Sequence, residues 1–336
     1  MAQLSRGLKN RQPVNLSSFT IIILTLVLAT GLTLTSKTFL SANNMLSILY
    51  GVSINFYGTI GFVYLMVMGE LDLSVGSVYA FSGMMVGMLM RNRMPLAPAL
   101  LIALGLSALI GLINGFLVVK FKVASMMITL GTMAAVRGVA NLLTSNLYGY
   151  PYRPAYQALS RVRVGGIHFT TIFMVAALVV LEVLLKRATV FKKMFIVGEN
   201  PETARIYGIK AGRLKIIVFT VTALLAGAGG ILTGARLGFA DSTIGNGLEF
   251  TILTAVVLGG ASLSGGKGSI LRSVIGLIFL AMITTGMIVH NIEPLIQQLI
   301  VGLILIITVF IDTRMGRMGA MALKQHRAVR QGESRA

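Results

Sequence analysis

Cysteine and tryptophan are both absent from these 336 residues. Without cysteine there is no disulfide framework and no thiolate metal site. His168, His290 and His326 are scattered, with no ligand spacing, so no metal site is expected. Acid is scarce: 10 Asp and Glu stand against 29 Lys and Arg. Charged residues of both signs make up only 12% of the chain, where a soluble domain carries about 25%. Hydrocarbon fills the gap, with 55% hydrophobic residues and a mean hydropathy of +0.85. That balance describes a polytopic membrane protein. The net charge of +19 does not point to nucleic acid. It is distributed between hydrophobic runs, and no basic face is interleaved with aromatics.

The apolar runs set the architecture. Met1–Asn15 is polar and carries Arg6, Lys9 and Arg11. The run Leu16–Leu34 follows with no clear A-x-A cleavage site, so it reads as a retained first span with a cytoplasmic N-terminus. Later spans are expected near Met45–Met68, Leu73–Met90, Leu96–Val119, Val123–Ser145, His168–Leu185, Ile216–Leu237, Phe250–Leu263, Ile270–Val289 and Leu295–Ile311. The expected fold is all-α, with about ten transmembrane segments spanning 16–312, between a cytoplasmic tail (1–15) and a basic cytoplasmic tail (313–336). The segment at 250–263 is short, and it crosses only if irregular backbone is shielded by protein. With this alternation the cationic clusters at Lys120 and Lys122, at 186–215 and at Arg314–Arg335 all fall inside, as the positive-inside rule requires.

Phe191–Lys215 is the longest polar interval. Within it, Asn200 is a good N-cap, Pro201 suits the first helical position, Glu202 favours the positive end of the dipole, and Gly208 is a natural stop. The spacing predicts a very short helix over Pro201–Tyr207, far too short to span a bilayer. It is either a basic connector or a docking element for a soluble partner. In the docking reading Ala204 allows close approach and Tyr207, three residues on, anchors the same face.

Other motifs leave alternatives open. GELDLSVGS at Gly69–Ser77 puts Glu70 and Asp72 between two spans. It is either a tight cytoplasmic turn, with Asp72 and Ser74 capping the next helix, or a broken helix on a transport path. VLGGASLSGGKGS at Val257–Ser269 superficially resembles a phosphate loop. It fails because Ala261 stands where the first Gly is needed and Gly268 follows Lys267. Gly149–Pro154 opens the longest external loop and reads as a structured turn that could also meet a delivery protein. Asn55, Tyr57, Asn114, Thr129, Thr132, Arg137, Asn141 and Glu249 interrupt apolar runs. Amides, hydroxyls and a carboxylate suit a neutral, hydroxyl-rich solute, and each also suits an interhelical hydrogen bond. Asn55, Tyr57, Asn141 and Glu249 are the expected substrate path.

GELDLSVGS, NGFLVVKFKVASMMITLGTMAAVRGVANLLT, FIVGENPETARIYGIKAGRLK, LLAGAGGILTGARLG and AVVLGGASLSGGKGS occur in that order, followed by QQLIVGL. Together they resemble the permease subunit of sugar ABC importers of the ribose type, within the ribose/branched-chain amino acid permease group, over about Leu16–Asp312. The resemblance implies a type II importer architecture in the bacterial inner membrane. It implies a second permease subunit, a periplasmic or surface sugar-binding protein, and a cytoplasmic ABC ATPase that binds the ATP and Mg; no cofactor is expected in this chain. It also assigns Glu199, Asn200, Pro201, Glu202, Thr203, Ala204, Arg205, Ile206, Tyr207, Gly208 and Ile209 as the ATPase-coupling helix. The chain departs from the family at Glu70 and Leu71, where Gly and Ile are usual. It also lacks the prolines often found before the I-T-L-G motif, and Phe250 and Thr251 follow Glu249 where Leu–Asp is common. Competing readings are a nucleoside or branched-chain amino acid permease and an ion-coupled secondary transporter. The latter would show intramembrane acidic pairs and inverted repeats. No nucleophile–base or metal constellation suggests an enzyme.

Overall fold

The computed structural model describes residues 16–147, 151–239, 241 and 243–333. Helices dominate. In order they are α1 (Leu16–Thr35), α2 (Ala42–Val67), α3 (Val75–Arg91), α4 (Leu96–Phe121), α5 (Ser125–Leu147), α6 (Pro154–Arg161), α7 (Phe169–Arg187), α8 (Thr189–Glu199), α9 (Pro201–Ile206), α10 (Ala211–Leu237), α11 (Leu248–Leu258), α12 (Ile270–Val289) and α13 (Pro294–Glu333). A two-residue antiparallel pair, β1 (Arg163–Val164) and β2 (Ile167–His168), interrupts the helices. Gly165 and Gly166 close it with positive φ at both turn positions, as a tight hairpin requires.

Among the described residues, seven helices are long and apolar enough to cross a membrane: α2, α4, α5, α7, α10, α12 and the first part of α13. The chain is therefore multi-pass. Two expected spans are shorter than the sequence suggests. α3 begins at Val75 because Met68–Ser74 is not helical. α11 has 11 residues, roughly 16 Å of helix against about 30 Å of hydrocarbon. It stops at Leu258 because Gly259 and Gly260 follow, and Gly260 has φ +82°. The hydrophobic Ala261 and Leu263 beyond had extended the apolar run without extending the helix. The shortfall is covered by protein, since α11 packs between α12, α13, α2 and α3. At the other extreme α13 continues past Ile311 to Glu333, through a stretch rich in Ala, Met, Arg and Gln, which are good helix formers.

α10 is the centre of the bundle and packs on α4, α3 and α2. Small residues let these backbones approach. A Cβ on Gly230 would overlap the Tyr79 carbonyl oxygen of α3 and lie 2.5 Å from Ser82 Oγ. Such a contact has no room for a side chain. We expect Gly230→Val to destabilise the chain by about 1–3 kcal/mol through overpacking. A lowered thermal midpoint in detergent would show this. Gly105→Val is the control, since a Cβ placed there would meet no atom of another element within 4 Å.

Candidate coupling and translocation sites

The polar interval folds as two helices, not one. α8 was not anticipated, because Lys192 and Lys193 disguise an amphipathic stretch whose Met194 and Val197 are buried. α9 forms as its sequence dictates. Asn200 Oδ1 accepts from the N–H groups of Glu202 and Thr203, both at 3.0 Å. Arg205 pairs with Glu202 at 2.7 Å on the exposed surface. Gly208 turns the chain with φ +67°. The outward residues are Ile206 and Tyr207, 76% and 75% exposed. Ala204 is different: it is 0% exposed and belongs to the main apolar core. The expectation that Ala204 shares a docking face with Tyr207 is corrected here. Helix α9 ends at Ile206, so Tyr207 leaves the face that Ala204 presents to its own chain.

Lys215, near the start of α10, pairs with Glu70. Glu70 lies within the Met68–Ser74 turn, which neighbouring helices hold by side-chain hydrogen bonds. Ser125 Oγ and Thr129 Oγ1 of α5 accept from the Leu71 and Leu73 N–H groups, each at 3.1 Å. Asp72 Oδ1 accepts from Ser74 N–H at 2.9 Å and from Ser74 Oγ–H at 2.6 Å. Asn114 of α4 donates to Ser74 Oγ at 3.1 Å and accepts from Thr132 Oγ1 at 2.6 Å. Ser74 occupies the N-cap position of α3, but its side chain makes no cap bond. It serves the turn instead, so the expectation that it caps α3 is corrected. Asp72 is fully buried. Met68–Ser74 is a turn withdrawn from solvent, after which α3 runs back beside α2, with Tyr79 bonded to Asn55.

The four expected path residues do not converge. Asn55 Oδ1 accepts from Tyr79 Oη at 3.1 Å. Tyr57 stacks on Phe173 of α7, with ring centroids 6.0 Å apart. Two residues apart on α2, Asn55 and Tyr57 leave the helix from different faces. Asn141 lies on an exposed face of α5. Glu249, 4% exposed, stands in the first turn of α11, and its carboxylate abuts Gly76 in the first turn of α3. Arg137 Nη1 donates to the Ile244 carbonyl at 2.8 Å, on the segment leading into α11. Asp72 Oδ2 and Glu249 Oε2 are buried with no hydrogen-bond partner among the described residues.

At the far end of α10 is a feature the sequence did not reveal. A cavity of 480 Å³ is lined by Ser47, Tyr50, Ser160, Arg161, Arg163, His168 and Arg236. His168 stacks on Tyr50 with centroids 3.7 Å apart, and the Arg236 guanidinium lies 4.6 Å from the centre of the same ring. Burial, with Arg163 nearby, holds His168 below the usual imidazole range. Lys215 and Arg236 are 21 positions apart on one helix, roughly 32 Å. The basic cavity and α9 therefore belong to opposite ends of the bundle. Of the Gly149–Pro154 loop, 149–150 lie outside the described residues. Pro151 bridges to Phe239, and Tyr152 N–H donates to the Gly238 carbonyl at 2.6 Å.

A multi-pass helical chain with a buried polar turn and a short exposed helix between spans has the form of a membrane permease. The family described as the permease component of branched-chain amino acid transport systems matches residues 44–309, and the chain belongs to it. The ribose import permease of Bacillus subtilis (strain 168) is 32% identical over 282 residues, covering 83% of this chain and 87% of that protein. The L-arabinose ABC transporter permease of Azospirillum brasilense is 29% identical over 292 residues, 87% and 86% of the two chains. The ribose import permease of Escherichia coli (strain K12) is 29% identical over 300 residues, 87% and 92%. No solved structure matches the chain significantly.

Proposed function

We propose that this chain is the membrane-spanning subunit of an ATP-driven importer that carries a monosaccharide into a bacterial cell. The observation that carries the reading is the family match over 44–309 together with relatives named for ribose and arabinose transport. Ten crossings, with α3 and α11 as the short ones, leave both chain ends and α9 on the cytoplasmic side of the inner membrane. A separate ABC ATPase holds the ATP and Mg and receives the Glu199–Ile209 segment. The exposed Ile206 and Tyr207 support that docking, because they are the apolar groups a helix otherwise rimmed by charge offers to a partner.

A second permease subunit completes the path. α5 turns Gly131, Ala134, Gly138 and Asn141 outward, and Gly131 and Gly138 have open space where a Cβ would stand. Small residues with one amide suit a helix seam better than a lipid surface. At the outer end, the cavity flanked by Arg161, Arg163 and Arg236 suits an acidic surface of a soluble sugar-binding protein. Reversing charge there with Arg163→Glu is expected to reduce the apparent affinity of the binding protein by about tenfold or more, and binding-protein titration of ATPase activity measures it. Unchanged titration would remove the cavity from the docking surface.

The test of the whole reading is reconstitution in liposomes with the ATPase and binding protein. Labelled ribose or arabinose should accumulate only with ATP and with both partners. Uptake by the chain alone, or uptake abolished by an ionophore, would favour an ion-coupled carrier. Accumulation of leucine or a nucleoside in place of sugar would move the substrate class.

A further inference from the structure

The short helix α9 is bracketed by two attachments that reach the same few residues. The first is backbone on backbone. Gly198 lies in the last turn of α8, three residues before Pro201. A Cβ there would overlap the Val67 carbonyl oxygen at the end of α2 and lie 2.8 Å from the Gly266 nitrogen. Gly266 N–H donates to that same Val67 carbonyl at 2.9 Å. A Cβ on Gly265, whose φ is +84°, would lie 2.7 Å from the Gly198 carbonyl oxygen and 3.0 Å from Gly69 N. The end of α2, the end of α8 and the loop after α11 therefore meet with no side chains between them. The glycine loop that fails as a phosphate site has this structural use.

The second attachment is the Lys215–Glu70 ion pair, on the other side of α9 in the chain. Both side chains are largely withdrawn from solvent, 27% and 10% exposed. Glu70 is three residues beyond Val67 and two before the buried Asp72, whose turn is tied through Ser74 and Asn114 to Thr132 of α5. No long flexible linker separates α9 from that buried turn. Interfaces packed this closely shift between discrete arrangements and do not deform gradually.

We propose that the Glu70–Lys215 pair and the Gly198 backbone junction are the positioning elements through which docked α9 sets the buried Asp72–Ser74 turn. This link rests on the ATP-driven importer reading. Glu70 and Lys215 touch no solute in it. They act by holding the α2–α3 turn to the segment that the ATPase moves.

The test uses the complete complex in liposomes, with sugar uptake and ATP hydrolysis measured together. Glu70→Lys and Lys215→Glu are each expected to leave ATPase association intact while lowering sugar carried per ATP about tenfold, since each reversal sets like charges together in a poorly solvated place. The double swap restores opposite charges and is expected to recover most of the wild-type ratio. A merely structural role would lower assembly and leave the ratio alone. Gly198→Ala should uncouple in the same way, and the swap decides the matter if that variant does not fold. Either single reversal coupling normally, or a folded swap no better than the singles, overturns the link while a wild-type complex that imports sugar leaves the importer reading standing. A wild-type complex that never couples ATP to uptake overturns both.

Discussion

Tyr207→Asp is expected to weaken ATPase binding severely and to lower uptake with it, while the chain still inserts and folds. Tyr207 and Ile206 are the exposed apolar residues at the end of α9. The turn that presents them is rigid. Asn200 caps one end, Gly208 closes the other, and Ala204 is seated in the core beneath. A large aromatic on a fixed backbone loses little entropy when it enters a pocket, which is why such residues dominate interfaces. A carboxylate in that pocket would be desolvated without a partner. A loss of at least 2 kcal/mol, about thirtyfold in affinity, is the expected scale. A pull-down of the ATPase beside an uptake assay measures it. Wild-type association would make the α8–α9 segment a plain basic connector. Ala204→Asp has a different expected outcome from the one its spacing suggests. It places charge in this chain's own core, so reduced folding yield should precede any effect on docking.

The contrast between these two residues shows what the sequence could disclose. The ends of α9 are local chemistry: an Asn cap, a Pro at the first position and a Gly with positive φ. Those signals act over a few residues and are legible without a fold. Which way Ala204 points is a tertiary fact, set by how α9 packs on α8 and α10. The apolar runs likewise reported the helices that cross in one piece. They misread α11, where Gly259 ends the helix inside a run that stays hydrophobic. They also missed α8, where two lysines masked an apolar stripe. For the path, spacing named Asn55 and Glu249 without their partners. Tyr79 is 24 positions from Asn55, and the Gly76 contact of Glu249 joins two helices far apart in sequence. The basic cavity at the far end of α10 draws on α2, α6, β1, β2 and α10, so no window of sequence contains it.

Glu249→Gln carries the second large expectation: uptake should fall by about 10- to 150-fold with the complex assembled. Glu249 is the carboxylate placed where two helix starts meet. It stands in the first turn of α11, and its side chain lies against Gly76 in the first turn of α3. Both starts leave N–H groups without intrahelical partners and carry the positive end of a dipole, so the place favours an anion. One carboxylate oxygen has no hydrogen-bond partner among the described residues. A free, oriented acceptor beside two helix starts is what a polyhydroxyl solute needs, and hydrogen bonds to a charged group contribute about 1.5–3 kcal/mol each. Gln keeps the shape, removes the charge and turns one acceptor oxygen into a donor, so the loss measures the charged acceptor as a whole. Gly76→Ala tests the same geometry from the other side. Its Cβ would overlap Glu249 Oε2 and the Gly245 carbonyl oxygen, so the carboxylate must move without being altered chemically. The two variants should therefore share one phenotype: normal ATPase association, normal binding-protein docking and failed sugar passage. If Glu249→Gln imports at the wild-type rate while Gly76→Ala does not, the carboxylate is only packing against α3, and the solute finds its acceptors elsewhere.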